Sequence, residues 1–167
     1  NMSISLDDGS HALWPFAGTC EHIVQVTPNE VKCVLTIHAL EPFPYQLGWH
    51  PCWRKPDSTN FDFSSMFEKD VDQIPTGRMV EPTTGPWDDC FTDVITEPTL
   101  VINNVAISLT STAEYWVIYD ELTHATCIEP QTGPPNAFNL ISDNFLDVVQ
   151  PNEAVRAEFT IRLGPSI

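Results

Sequence analysis

Val155-Arg156-Ala157-Glu158-Phe159-Thr160-Ile161-Arg162-Leu163 alternates apolar and polar side chains without a break. That two-residue period sets Val155, Ala157, Phe159, Ile161 and Leu163 on one face and Arg156, Glu158, Thr160 and Arg162 on the other, as in a strand buried on one side. Val31-Lys32-Cys33-Val34-Leu35-Thr36-Ile37-His38-Ala39 repeats the pattern, with Val31, Cys33, Leu35, Ile37 and Ala39 facing inward and Lys32, Thr36 and His38 opposite. Half-buried strands of this kind belong to antiparallel sheets with one wetter face. Residues 21–27, 60–64, 100–103, 106–110, 115–119 and 125–129 add further strand candidates, separated by turn chemistry such as Pro28-Asn29, Asn103-Asn104 and Pro151-Asn152.

The 15 prolines reinforce this reading, because an interior proline removes a helix hydrogen bond and clashes with the preceding turn. The longest stretch without one, residues 99–129, is rich in Val, Ile, Thr and Tyr, which favour strands. The expectation is an all-β, antiparallel sandwich or barrel forming a single domain over residues 1–167. Residues 41–56, 74–87 and 130–139 carry prolines and glycines without periodicity and read as long loops, where binding and catalysis usually sit in a compact β domain.

Composition narrows the partners. Seven Lys+Arg against 23 Asp+Glu give a formal net charge of −16 over 167 residues. Nucleic acid and anionic membranes both require clustered bases, and the one adjacent basic pair is Arg54-Lys55, so neither is expected as a partner. No apolar run is long enough to span a bilayer, and the start lacks the basic and apolar regions of a signal peptide. Cys20, Cys33, Cys52, Cys90 and Cys127 are odd in number with no C-x-x-C pair; reduced thiols and a cytoplasmic location are expected. The histidines at 11, 22, 38, 50 and 124 show no ligand spacing, so no metal is expected.

Three clusters could carry chemistry. In Gly48-Trp49-His50-Pro51-Cys52-Trp53-Arg54 a histidine is held between prolines and aromatic rings; it is either a structural histidine or a positioned proton carrier, and Trp49 and Trp53 offer flat faces to a sugar ring. In Pro86-Trp87-Asp88-Asp89-Cys90-Phe91 the paired acids either cap a turn or accept hydrogen bonds from ligand hydroxyls. In Cys127-Ile128-Glu129-Pro130-Gln131-Thr132-Gly133 a glutamate closes an apolar strand, either as a surface charge or as a general base whose pKa burial would raise.

Taken in order, these clusters resemble the aldose 1-epimerase (mutarotase) family. Gly48-Trp49-His50-Pro51-Cys52-Trp53 is similar to its G-x-H-P-aromatic-aromatic segment, Asp88-Asp89-Cys90-Phe91 to its Asp-Asp-x-Phe turn, and residues 129–139 to its E-P-Q-T-G-x-P-[DN]-A-x-N run. Val149-Gln150-Pro151-Asn152-Glu153 also resembles the family's L-x-P-G-E segment, and the likeness extends over roughly residues 25–163. Cys52 stands where the family usually has Tyr, and Asn136 where it has Asp. The resemblance implies a β-sandwich of the galactose-mutarotase-like (supersandwich) type that lacks the family's N-terminal portion, with its Gly-rich strand and H-G-x-x-R segment.

It further implies cofactor-free interconversion of the α and β anomers of a hexose, with Glu129 as general base and His50 as general acid. Asp88 or Asp89, Trp53, Arg54 and Gln131 would hold the sugar. A phosphorylated sugar would need a basic pocket, for which Arg54, Lys55 and Arg78 are the loop candidates. The alternative is a non-catalytic carbohydrate-binding or structural sandwich. A shortened sheet would expose strand edges, through which self-association is expected.

Overall fold

The computed structural model describes residues 2–6, 14–140 and 145–165. Within them lie β1 (Met2–Ser5), β2 (Gly18–Val26), β3 (Glu30–Ala39), β4 (Phe43–Tyr45), β5 (Cys52–Arg54), β6 (Ser58–Lys69), β7 (Pro75–Val80), β8 (Asp88–Ile102), β9 (Val105–Ser111), β10 (Tyr115–Tyr119), β11 (Ala125–Gln131), β12 (Asp147–Val149) and β13 (Ala154–Leu163). The helical content among the described residues is one 3-10 turn at Ala137–Asn139. No helix among them is long and apolar enough to cross a membrane. His11 lies outside the described residues.

Eleven strands form one antiparallel sheet in the order β1-β2-β3-β13-β9-β8-β10-β11-β5, with β6 paired to β8 and β7 to β6; β12 and β4 form a separate pair. The alternating stretch 155–163 is central, pairing with β3 on one side (Phe159 opposite Cys33) and β9 on the other (Ile161 opposite Leu109). Turn chemistry sets the β8–β9 hairpin: Asn103 and Asn104 sit at φ 50° and 64°, the left-handed region that two-residue hairpin turns require and asparagine tolerates.

Strand β8 organises the site. Its first residues, Asp88 to Phe91, pair with β10, its last, Thr99 to Ile102, with β9, and β6 runs along the other side. The sheet curls so that Phe63, Met66, Phe91, Leu100, Leu109, Trp116, Ile118, Ile128 and Phe159 meet in one core. A second core joins Ile37, Ala39, Phe43, Leu47, Val149 and Ala157, and Trp49 packs against both.

The structure departs from the sequence expectations in four places. Residues 75–80, expected as loop, are an edge strand: Pro75 occupies its first position, where a missing N–H is tolerated, and none of its side chains is fully buried, so the sequence shows no apolar–polar alternation. The 41–56 loop contains two three-residue strands, β4 and β5. The Asp-Asp-x-Phe segment opens β8 and is no turn. Finally, Cys52 and Cys127 are joined as a disulfide, leaving Cys20, Cys33 and Cys90 free. The two are 75 residues apart in sequence but directly opposite in the β5–β11 register, at a Cα–Cα distance of 4.1 Å.

Candidate active site

Glu129 owes its position to strand parity. Ile128 points into the core with no exposure, so Cys127, Glu129 and Gln131 face the other way. Strand β10 sets Val117 opposite Glu129, and β8 sets Cys90 opposite Val117 and Asp88 opposite Tyr119. Asp88, Val117, Tyr119, Cys127, Glu129 and Gln131, with Leu122 and Pro135, floor a cleft of about 540 Å³, and His50 and Cys52 line its rim.

The segment bearing His50 is pinned along the edge of β11 at both ends. Trp49 N donates to Pro130 O at 3.0 Å, and Ile128 N donates to Pro51 O at 3.3 Å. Gly48 bridges to Gln131. A Cβ on Gly48 would lie 2.8 Å from Gln131 Cβ and 3.0 Å from Pro130 O, so the approach requires glycine. Between the pins the imidazole projects into solvent, 72% exposed, with Nε2 3.1 Å from Glu129 Oε1. The Glu129 side chain is 12% exposed. Its burial holds the carboxyl above the ordinary glutamate range; the His50 charge opposes that and the Asp88 charge adds to it.

Gln131 is oriented by Gln46. The Gln46 amide nitrogen faces the carbonyls of Gly133 and Pro134, so it must be the donor there; it also donates to Gln131 Oε1 at 3.2 Å. The Gln131 NH₂ group is thereby left to present donors. Leu47 and Thr132 tie the same two segments: Leu47 N donates to Thr132 Oγ1 at 2.9 Å and Thr132 N to Leu47 O at 2.8 Å.

The sequence-predicted site residues divide. His50, Glu129, Gln131 and Asp88 share the cleft. Asp89 points the other way and is ion-paired with Lys69 at 3.1 Å, so of the two acids Asp88 is the one beside Glu129. Trp53 turns its ring to the first core, on the face of β5 opposite Cys52, and Trp49 bridges the cores while its Nε1 donates to His22 Nε2 at 3.2 Å. Neither tryptophan forms a wall of the cleft. Arg54 is exposed beyond the cleft lining, Lys55 Nζ donates to Asp120 O at 2.6 Å, and Arg78 is ion-paired with Glu68, so none of the three bases expected for a phosphate reaches the site. Sequence reasoning missed Gln46, Tyr119 and Cys127 as site residues. Tyr119 was findable, since it alternates with Val117 on a strand that the pattern located; Gln46 carries no sequence signal.

His50, Cys52 and Cys127 place their ligating atoms within 4.8 Å of one another. Joined as a disulfide, the two sulfurs have no thiolate to offer a metal.

The family model described as aldose 1-epimerase matches residues 1–159. No curated protein sequence matches the chain significantly. Among solved structures, a galactose mutarotase-like protein from Clostridium acetobutylicum superposes with a TM-score of 0.80 at 15% identity, covering 98% of this chain and 61% of that one. The GalM/aldose epimerase homologue from C. elegans gives 0.76 at 15% identity, with coverage of 99% and 65%. Galactose 1-epimerase from Lactobacillus acidophilus gives 0.73 at 11% identity, with coverage of 91% and 58%. At such identities the likeness shows the fold, which is the galactose-mutarotase-like one. The chain spans about three-fifths of the length of these structures.

Proposed function

Because the chain belongs to the aldose 1-epimerase family, we propose that it interconverts the α and β anomers of a neutral hexose without a cofactor, Glu129 acting as general base and His50 as general acid. The observation that carries this reading is the contact of the two groups at 3.1 Å in one cleft, one on a rigid buried strand and the other exposed. Glu129 takes the proton from the anomeric hydroxyl as C1 becomes a carbonyl. The bond from C1 to the ring oxygen breaks, and that oxygen takes a proton from His50. Rotation about C1–C2 and the reverse transfers close the ring on the other face. Burial suits Glu129 to its part, since a base with a raised pKa binds the proton more firmly. Asp88 and the Gln131 amide serve as acceptor and donor for sugar hydroxyls. Trp53 and Arg54 drop out of the sugar-binding set, because neither side chain lines the cleft.

The proposal retains the cytoplasm as the compartment, where cellular dithiols would hold the Cys52–Cys127 pair reduced, and includes self-association through exposed sheet edges. Polarimetry on freshly dissolved α-glucose and α-galactose tests the activity. Wild-type protein should speed equilibration, and His50→Ala and Glu129→Ala should each lower the rate by about 10²–10⁴-fold. Equal rates with and without wild-type protein, together with saturable sugar binding, would establish the carbohydrate-binding alternative instead.

A further inference from the structure

The rim of the cleft holds a group of atoms that acid–base chemistry does not use. Cys52 and Cys127 face each other across β5 and β11, bracketed by the Ile128 N to Pro51 O and Lys55 N to His124 O hydrogen bonds. They therefore occupy a non-hydrogen-bonded pair, the site at which antiparallel side chains come closest. His50 sits over them with its two nitrogens divided: Nε2 meets Glu129 Oε1 at 3.1 Å, and Nδ1 meets Cys52 Sγ at 3.8 Å. A carboxylate is an acceptor only, so Nε2 donates to Glu129, and in the neutral imidazole the Nδ1 lone pair is left on the side of Cys52 Sγ.

We infer that, once the disulfide is reduced, Cys52 Sγ, Cys127 Sγ and His50 Nδ1 form a three-ligand site for a thiophilic divalent cation of the zinc class, with Glu129 as the carboxylate that orients the ligating histidine. Zinc bonds of about 2.0–2.3 Å in a tetrahedron separate ligand atoms by about 3.3–3.8 Å. The Nδ1–Sγ separation already matches, and the three atoms lie within 4.8 Å of one another. Rotation of the exposed Cys52 side chain separates the two sulfurs. A hydrogen-bonded carboxylate on the far nitrogen is the usual support for a metal-bound imidazole. The fourth position opens on the cleft, where water or a sugar hydroxyl completes the tetrahedron.

The chemistry balances as follows. A cellular dithiol breaks the S–S bond by exchange and is itself oxidised to a disulfide, leaving two protein thiols. Metal binding then forms two S–metal bonds and one N–metal bond and releases two protons to solvent. The site is thus open to metal in a reducing compartment and closed in an oxidising one. If His50 is the acid of the proposed reaction, the metal also withdraws it from proton transfer, because Nδ1 is coordinated and Nε2–H is held by Glu129.

The test reads the metal, not the sugar. Protein reduced with a trialkylphosphine, which takes up oxygen from water as it delivers two thiols, is freed of reductant and titrated anaerobically with Co²⁺. One equivalent should bind with the intense thiolate-to-cobalt absorption of a tetrahedral site and release two protons, and Zn²⁺ should displace it. Oxidised protein should show no such band, while Cys20→Ser and Cys33→Ser should bind as wild type. Cys52→Ser should lose the band, and His50→Gln, which leaves both sulfurs and changes only an exposed side chain, should bind at least about 10-fold more weakly. Near-UV circular dichroism checks that the reduced chain keeps its packing. A reduced chain that loses its packing, one that takes up no cobalt, or equal binding by Cys52→Ser or His50→Gln would each overturn the inference. All of these outcomes are independent of whether the protein turns over a sugar.

Discussion

Glu129 is a carboxyl group buried on a strand whose neighbours are apolar, and its raised pKa has a consequence for stability with a definite sign. In the unfolded chain the group titrates at the ordinary glutamate value, while in the folded chain it keeps its proton to higher pH. Between those two values the folded state binds more protons, so stability is greatest below the unfolded pKa and falls as pH rises through the folded one. At neutral pH the fold therefore carries the cost of an ionised Glu129, offset in part by His50. Glu129→Gln removes the titration while keeping the shape, so urea denaturation should find it as stable as wild type or more so at pH 7, with a flatter pH dependence in the acidic range. A variant clearly less stable at pH 7 than at pH 4, relative to wild type, would contradict burial as the main cause. The same substitution should abolish anomer exchange, the usual opposition between stability and activity at a working site.

Gly48 shows how two elements share one site. The strand β11 supplies Glu129 and the flanking segment supplies His50, and they are close only because no side chain stands between Gly48 and Pro130–Gln131. A methyl group there would lie 2.8 Å from Gln131 Cβ and 3.0 Å from Pro130 O, so the segment must lift away. Gly48→Ala should cost about 1–3 kcal/mol in denaturant unfolding, and it should cost more in turnover, since His50 moves with the segment. Retention of full activity would show that the spacing is not critical. This arrangement also explains what the sequence disclosed. The E-P-Q-T-G run and the G-W-H-P segment were each readable, as were the strands at 31–39 and 155–163, which carry a two-residue period, and those at 115–119 and 125–129, which their Val, Ile, Thr and Tyr content marks. The faces at 49–53 alternate, Trp49 and Trp53 turning inward while His50 and Cys52 turn to the cleft, but they were not readable because the prolines at 42, 44, 51 and 56 make the stretch read as loop. Asp88 and Asp89 were likewise indistinguishable, parity being undefined until β8 is known to begin at Asp88. The pairing of Cys52 with Cys127 depends on β5 lying against β11, which no local pattern states.

At the scale of the molecule, the disulfide and the sheet edges decide how the fold is held and what it meets. The link closes a 75-residue loop between β5 and β11, and such a crosslink stabilises by about 2–4 kcal/mol, mainly by restricting the unfolded chain. Phosphine reduction should lower the urea midpoint accordingly while leaving a cooperative transition, and an unchanged midpoint would show that the link contributes nothing. The edges differ in protection. Strand β7 begins with Pro75 and carries Arg78, while β5 lies between Pro51 and Pro56 and carries Arg54, so proline and charge blunt both. Strand β1 has neither among the described residues, and Met2 and Ile4 there, with Val24 and Val26 on β2, are exposed large apolar side chains. The proposed self-association would therefore run through a second copy pairing at β1, opposed by repulsion between chains of charge −16. Salt screens that repulsion without weakening strand pairing or apolar contact. Sedimentation velocity should accordingly show the average mass rising with protein concentration and rising further with added salt, and Ile4→Lys should reverse both trends. A monomer at every concentration and salt level would remove self-association from the proposal, because screened charge could not then be what keeps β1 unpaired.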